Sequence, residues 1–180
     1  MKIINKITHN NFPFDWVNLD LYSESKAGKK EIYLIKNEDL VEELIILFYT
    51  LFNGGKGIYV YNDAWGDFCL DTWNASKDTY DYDLEGKSDE TREYITMLKV
   101  AGVEIEYSGS CECLNWDKFL HIVLKCIVSQ LAPFSPIFYD EKNDFFFYFH
   151  HSGSIGIYYT KKNKEINRIF EIAKDEFDLR

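Results

Sequence analysis

The period of apolar and polar positions changes several times along the chain, and each change marks an element. Residues 30–36 (Lys-Glu-Ile-Tyr-Leu-Ile-Lys) are β-branched and aromatic between charged ends and predict a strand. A helix follows at once. Asn37 is placed to cap it, and Glu38, Asp39, Glu42 and Glu43 suit the positive end of its dipole. Leu40, Val41, Leu44, Ile45, Phe48, Leu51 and Phe52 recur at helical spacing, and Asn53-Gly54-Gly55 ends the run. Residues 57–61 and 67–73 read as the two strands of a hairpin, joined by the turn-rich Asn62-Asp63-Ala64-Trp65-Gly66. Residues 74–87 lack a clear period and predict a long irregular loop, a kind of segment that is often functional in compact domains.

Ser88 then caps a second helix, with Asp89 and Glu90 in its first turn, Tyr94, Ile95, Leu98 and Ala101 as its stripe, and Gly102 as its stop. A strand over 103–107 and a turn over 108–110 lead to a third helix over 115–131. That helix is apolar on nearly every side, which marks it as central to the core, and Pro133 and Pro136 close it. Residues 137–140, 145–150 and 155–160 predict three strands separated by turns at 141–144 and 151–154, most simply an antiparallel meander. An amphipathic helix with Ile166, Ile169, Phe170, Ala173 and Phe177 on one face finishes the chain. No repeat or linker interrupts this order, so the expectation is a single α+β domain over residues 1–180, with a largely antiparallel sheet and about four helices.

Composition narrows the class. At 180 residues, with 46% hydrophobic and 17% aromatic side chains, the chain is globular despite a net charge of −10, and it is expected to fold without a cofactor. Polar residues break the first apolar stretch before a signal-peptide core forms, and the most apolar run, residues 44–52, is about half the roughly 20 residues a spanning helix needs. A cytoplasmic location is expected, in which Cys69, Cys111, Cys113 and Cys126 stay reduced and mostly buried. An acidic chain repels nucleic acid and anionic lipid, so neither is expected as a partner, and a basic protein is favoured.

The acidity is concentrated. Between Asn62 and Glu90 stand nine carboxylates against two lysines, which accounts for seven of the ten net negative charges. Trp65, Phe68, Trp73, Tyr80 and Tyr82 are interleaved with them, and rings of this kind anchor protein interfaces. The expected contact set is Asp63, Trp65, Asp67, Asp71, Trp73, Tyr80, Asp81, Tyr82 and Asp83, with charge steering the partner and rings anchoring it. The competing reading is a charged face that serves solubility alone.

Other constellations are weaker. Asp81-Tyr82-Asp83-Leu84-Glu85-Gly86 matches the opening of a calcium loop, but its twelfth position, where a bidentate carboxylate is required, is Arg92. Cys111 and Cys113 share a strand face with His121 eight residues on, yet a lone Cys-x-Cys offers zinc two ligands. Asp63, Asp67 and Asp71 would align only on a helix, which Gly66 and the surrounding strand formers disfavour. His150 and His151 stand beside Ser152-Gly153-Ser154, with Asp144 the nearest acid, but adjacent strand residues point to opposite faces unless the chain bends there. No metal or cofactor is expected from any of these sets.

The segment Asn143-Asp144-Phe145-Phe146-Phe147-Tyr148-Phe149-His150-His151-Ser152-Gly153-Ser154-Ile155-Gly156-Ile157-Tyr158-Tyr159 and the plan around it resemble bacterial toxin-immunity proteins. These are the small acidic antitoxins of contact-dependent inhibition and related polymorphic toxin systems. The resemblance implies a non-enzymatic cytoplasmic protein that binds one cognate toxin domain, often a basic nuclease, and shields its active site. The alternatives are a small metal-dependent hydrolase using His150 and His151, or a non-catalytic subunit of a bacterial assembly.

Overall fold

The computed structural model describes residues 1–7, 12–19, 21, 24–35 and 38–180. In chain order the elements are β1 (Ile4–Lys6), β2 (Gly28–Tyr33), α1 (Leu40–Leu51), β3 (Tyr59–Asn62), β4 (Trp73–Asn74), β5 (Thr79–Tyr80), α2 (Asp89–Ala101), β6 (Gly109–Cys113), α3 (Trp116–Val128), β7 (Ile137–Asp140), β8 (Phe145–His150), β9 (Ser154–Tyr159), α4 (Lys164–Glu176) and β10 (Asp178–Leu179). Eight strands form one sheet in the order β1-β6-β3-β7-β8-β9-β2-β10, every pairing antiparallel, and β4 and β5 pair with each other apart from it. The fold is α+β, with four α-helices and a large antiparallel sheet, as the periodicity predicts. No helix among the described residues is long and apolar enough to cross a membrane.

The middle of the sheet is buried on both faces. Along β8, Phe145, Phe147 and Phe149 point to the side that carries the helices, while Phe146 and Tyr148 point to the other. On the helix side Phe147 stacks on Phe52, with ring centroids 3.9 Å apart and planes 5° apart, and on Phe138 of β7 at 5.1 Å. There α3 packs against both α1 and α2 and over β8, in the central position its apolar surface requires. On the opposite face Phe12, Phe14 and Trp16 cover Tyr61, Tyr139 and Phe146, with Trp16 stacked on Phe146 at 5.7 Å. The stretch before β2 thus closes the second face with rings rather than with a helix.

Helix ends follow local chemistry. Ser88 caps α2 by accepting from Thr91 N, Gly102 closes it in the left-handed region at φ 68°, and Asn115 and Asn163 cap α3 and α4. Asp39 caps α1. Asn37, the expected cap, lies outside the described residues, as does residue 36, where the first strand was expected to end; the observed strand begins two residues earlier, at Gly28.

Three expectations are corrected by strand pairing. Residues 57–61 and 67–73 form no hairpin, because β3 is already flanked by β6 on one side and β7 on the other. No edge is left for 67–73, which instead turns through a short 3-10 helix at Leu70–Thr72. Residues 103–107 form no strand of the sheet; Ile105 and Tyr107 accept backbone hydrogen bonds from Gly66 and Trp65, and the strand begins at Gly109, within the expected turn. The loop over 74–87 is partly ordered by the β4–β5 ladder, Trp73 opposite Tyr80.

Antiparallel order fixes which loops meet. The exit from β3 at Asn62, the entry to β7 at Ile137 and the β8–β9 turn after His150 lie at one end of the sheet, since Asn62 pairs with Gly109, Tyr61 with Ile137 and His150 with Ser154. Truncating the ring that both central layers share, Phe147→Ala, is expected to destabilise the protein by about 3–5 kcal/mol. Urea unfolding followed by tryptophan fluorescence reads this directly, and a loss below about 1 kcal/mol would contradict the packing described.

Candidate functional site

The acidic segment is built outward from α2. Asp71, on the 3-10 turn, accepts from Ser88 N at 3.0 Å, from Ser88 Oγ at 2.9 Å and from Thr91 Oγ1 at 2.5 Å. Burial disfavours its charge, but the hydrogen bonds from Thr91 and Ser88 outweigh this and hold its carboxyl below the usual value. Asp71 is therefore committed to the helix terminus. Thr72 O then receives Asp81 N at 2.7 Å, which closes the β4–β5 hairpin against the turn.

On that hairpin three rings form a ladder. Trp73 and Tyr80 meet edge to face at 5.0 Å, and Tyr80 and Tyr82 lie parallel at 6.0 Å. Trp73 and Tyr80 each keep 43% of their surface exposed, as does Leu70 beside them at 53%. Large rings left in solvent among charges form the kind of patch that partners cover. Tyr82 donates to Asp67 at 2.5 Å, and burial together with that bond pushes the phenol far above its ordinary pKa. The Glu106 carboxylate adds to the shift, which brings an acid from outside the 62–90 stretch to the same surface.

Asp67 and Asp63 sit on the loop leaving β3. Gly66 lets this loop approach its neighbour: a Cβ there would fall 2.6 Å from Ile105 O. Trp65 is the main correction to the expected contact set. Its side chain is fully buried, its indole donates to Gly109 O at 2.9 Å, and Tyr94 donates to its carbonyl at 2.8 Å, so it anchors the loop from inside. Asp81 accepts from Asp83 N and Asp83 from Glu85 N, so both carboxylates stabilise their own loop by short-range turns. Among the described residues, Asp89, which faces Arg92 at 3.4 Å, is the one carboxylate of the nine in an ion pair.

Beyond Asp67 the surface falls into a cleft of about 670 Å³. Asp63 and Asp67 stand on one wall, Tyr61, Tyr148 and Tyr158 are among its lining rings, and Phe134 projects at its mouth, 77% exposed. The cleft, Phe134 and Glu106 were not expected from sequence. The one local signal was Pro133-Phe134-Ser135-Pro136, a phenylalanine held between prolines in a loop.

His150 and His151 also line this cleft. The strand ends at His150 and the chain turns there, so the two rings come within 4.2 Å of each other instead of facing opposite ways. Ser152 N donates to His150 Nδ1 at 3.3 Å, and Ser152 Oγ lies 2.6 Å from the same nitrogen. Burial and the adjacent His151 lower the His150 pKa, which favours a neutral ring. Asp144 does not orient this ring. It is engaged by Trp16 Nε1 at 2.9 Å and by the Thr160 hydroxyl, at the other end of β8.

The zinc and calcium sets do not assemble. Among the described residues no three His, Cys, Asp or Glu side chains converge to hold a metal ion. Burial pushes the Cys111 and Cys113 thiols up to about 12, the opposite of what a thiolate ligand requires. His121 is used elsewhere: Nδ1 faces Asp117 O at 2.8 Å and Nε2 faces Glu42 Oε1 at 2.7 Å, so it links α3 to α1. No protein-family model, curated protein or solved structure matches the chain.

The Asp71 cap carries a pH signature. A carboxyl with a depressed folded pKa contributes stability above its unfolded value, and that contribution is lost as pH falls through the folded value. The melting temperature of Asp71→Asn is expected to lie below that of the parent at neutral pH and to converge with it as pH falls through the depressed folded value of the carboxyl, below the ordinary aspartate range. A constant gap across that range would show that the charge of Asp71 does not support the helix end.

Proposed function

We propose that this chain is a cytoplasmic immunity protein that binds and neutralises a basic toxin domain, with a nuclease as the leading class, through the acidic aromatic surface running from Asp63 and Asp67 to the β4–β5 hairpin. The observation that carries this reading is the Trp73–Tyr80–Tyr82 ladder, with Trp73 and Tyr80 solvent-facing and Tyr82 half-buried beside them, set among carboxylates that lack ion-pair partners among the described residues. Uncompensated charge draws a basic partner in by long-range attraction, and exposed rings slow its release once docked. Asp63, Asp67, Asp81 and Asp83 supply the field, and Trp73, Tyr80 and Tyr82 supply the anchors. Asp71 supports the surface from beneath by holding the start of α2, and Trp65 by fixing the loop.

The hydrolase alternative has less support. His150 and His151 do meet in a cleft, and Ser152 Oγ lies 2.6 Å from His150 Nδ1, but a catalytic base also needs a third group to orient it, and Asp144, the acid nearest in sequence, is occupied elsewhere.

Two measurements test the reading. Co-expression with the C-terminal domain encoded by the neighbouring gene is expected to restore growth and to yield a co-purifying complex; a neighbour with no toxicity would overturn the immunity assignment. Given such a complex, Asp81→Lys with Asp83→Lys is expected to slow association by about tenfold or more at low salt, with a smaller effect at high salt and little change in dissociation. Association unaffected by that charge reversal would remove the steering role.

A further inference from the structure

We propose that the cleft beside the acidic surface receives an extended basic segment of the partner protein, with an arginine or lysine side chain reaching Asp63 and Asp67 and Phe134 closing over its stem. This rests on the partner-docking reading above and goes beyond it by naming the chemistry of the segment and the place where it enters.

Size, lining and charge point the same way. About 670 Å³ is the scale of a recognition pocket rather than of a packing defect. Tyr148, half-buried, and the exposed Phe134 offer ring surface against which the methylenes of a long basic side chain pack, over a floor that includes the buried rings Tyr61 and Tyr158. Two carboxylates face the same space, and neither has a Lys, Arg or His of the described residues within ion-pair distance. Their hydrogen bonds come from neutral tyrosines instead, Tyr61 to Asp63 and Tyr82 to Asp67. A neutral donor orients a carboxylate without cancelling its charge.

The cation already in the cleft is committed. Lys29 lies 4.0 Å from Glu31, on its own strand, and 5.6 Å from the centre of the Tyr158 ring. The histidines add no fixed positive charge at neutral pH where His150 is concerned, because burial disfavours its protonated form. The uncompensated charge in the cleft is therefore negative, on the wall shared with the Trp73–Tyr80–Tyr82 ladder through the Tyr82–Asp67 bond. Phe134 completes the site. A phenyl ring 77% exposed at the mouth, on a loop stiffened by Pro133 and Pro136, is held out of the core at a standing cost in hydration that an incoming side chain removes.

The probe is a capped pentapeptide, acetyl-Gly-Arg-Gly-Arg-Gly-amide, compared with a twin in which glutamine replaces both arginines. Amide chemical shifts of the full chain are followed during titration. Saturable shifts are expected at Asp63, Ala64 and Phe134 with the arginine peptide and not with its twin. Asp63→Asn, which removes one charge-assisted hydrogen bond, and Phe134→Ala, which removes the ring contact on the basic side chain, are both at exposed positions and are each expected to weaken binding by about tenfold. An unchanged amide spectrum elsewhere shows that each variant folds. Equal binding of the two peptides, shifts confined to residues 78–85, or no saturable shift would overturn the inference. The two readings can fail separately. A toxin complex indifferent to both variants removes the cleft inference and leaves the immunity reading intact. Arginine-dependent binding in the cleft with no toxic neighbour does the reverse.

Discussion

The run Phe145-Phe146-Phe147-Tyr148-Phe149 imposes the architecture. Successive strand residues point to opposite faces, so five consecutive aromatic residues cannot be hidden by covering one side of a sheet. Antiparallel sheets commonly leave one face to water, and here that arrangement would expose Phe146 and Tyr148. The chain meets the constraint with two unlike covers: four helices on the side of Phe145, Phe147 and Phe149, and the rings of residues 12–16 on the side of Phe146. The strand that carries the run is placed near the middle of the sheet, with β7 and β9 as its neighbours, where coverage is deepest.

That placement determines where a binding surface can form. With β8 central and all pairings antiparallel, the loops at one end come from β3, β7 and β8 and converge. They come from distant parts of the sequence, residues 62–68, 131–136 and 151–153, and each is fixed by a different device. Trp65 plugs the first into the core, Ser135 Oγ accepts from Phe149 N in the second, and the third closes with a hydrogen bond from Gly153 N to His150 O. The cleft exists because three independently held loops share one rim.

Local chemistry was legible in the sequence and distant pairing was not. Ser88, Gly102 and Asn115 act on neighbours within a few residues, so the ends of α2 and the start of α3 could be read from composition and spacing. The three strands from Ile137 to Tyr159 were readable for the same reason, since short turns pair them in sequence order. Residues 57–61 and 67–73 looked like a hairpin on equally local signals, but β3 is claimed on both edges by strands about 50 and 80 residues away. The fate of Trp65 shows the same limit within the site. A tryptophan among aspartates reads as an interface ring, and only its indole bond to Gly109 reveals a loop anchor. Trp73, Tyr80 and Tyr82 carried the same signal and did come together, Trp73 and Tyr80 exposed and Tyr82 half-buried against the core.

Concentrating acid in one region normally weakens a fold through like-charge repulsion, and pairing each carboxylate with lysine or arginine is the direct remedy. This protein takes a different course. Hydroxyls and backbone amides hold the acidic loops: Tyr61 on Asp63, Tyr82 on Asp67, Ser88 and Thr91 on Asp71, and the loop's own amides on Asp81 and Asp83. Each such bond uses an acceptor lone pair and leaves the charge in place. A cation would have fixed the same side chain and erased its field. Local order is thereby separated from local neutrality, and a rigid surface keeps the negative potential that a basic partner would have to supply the charge to relieve.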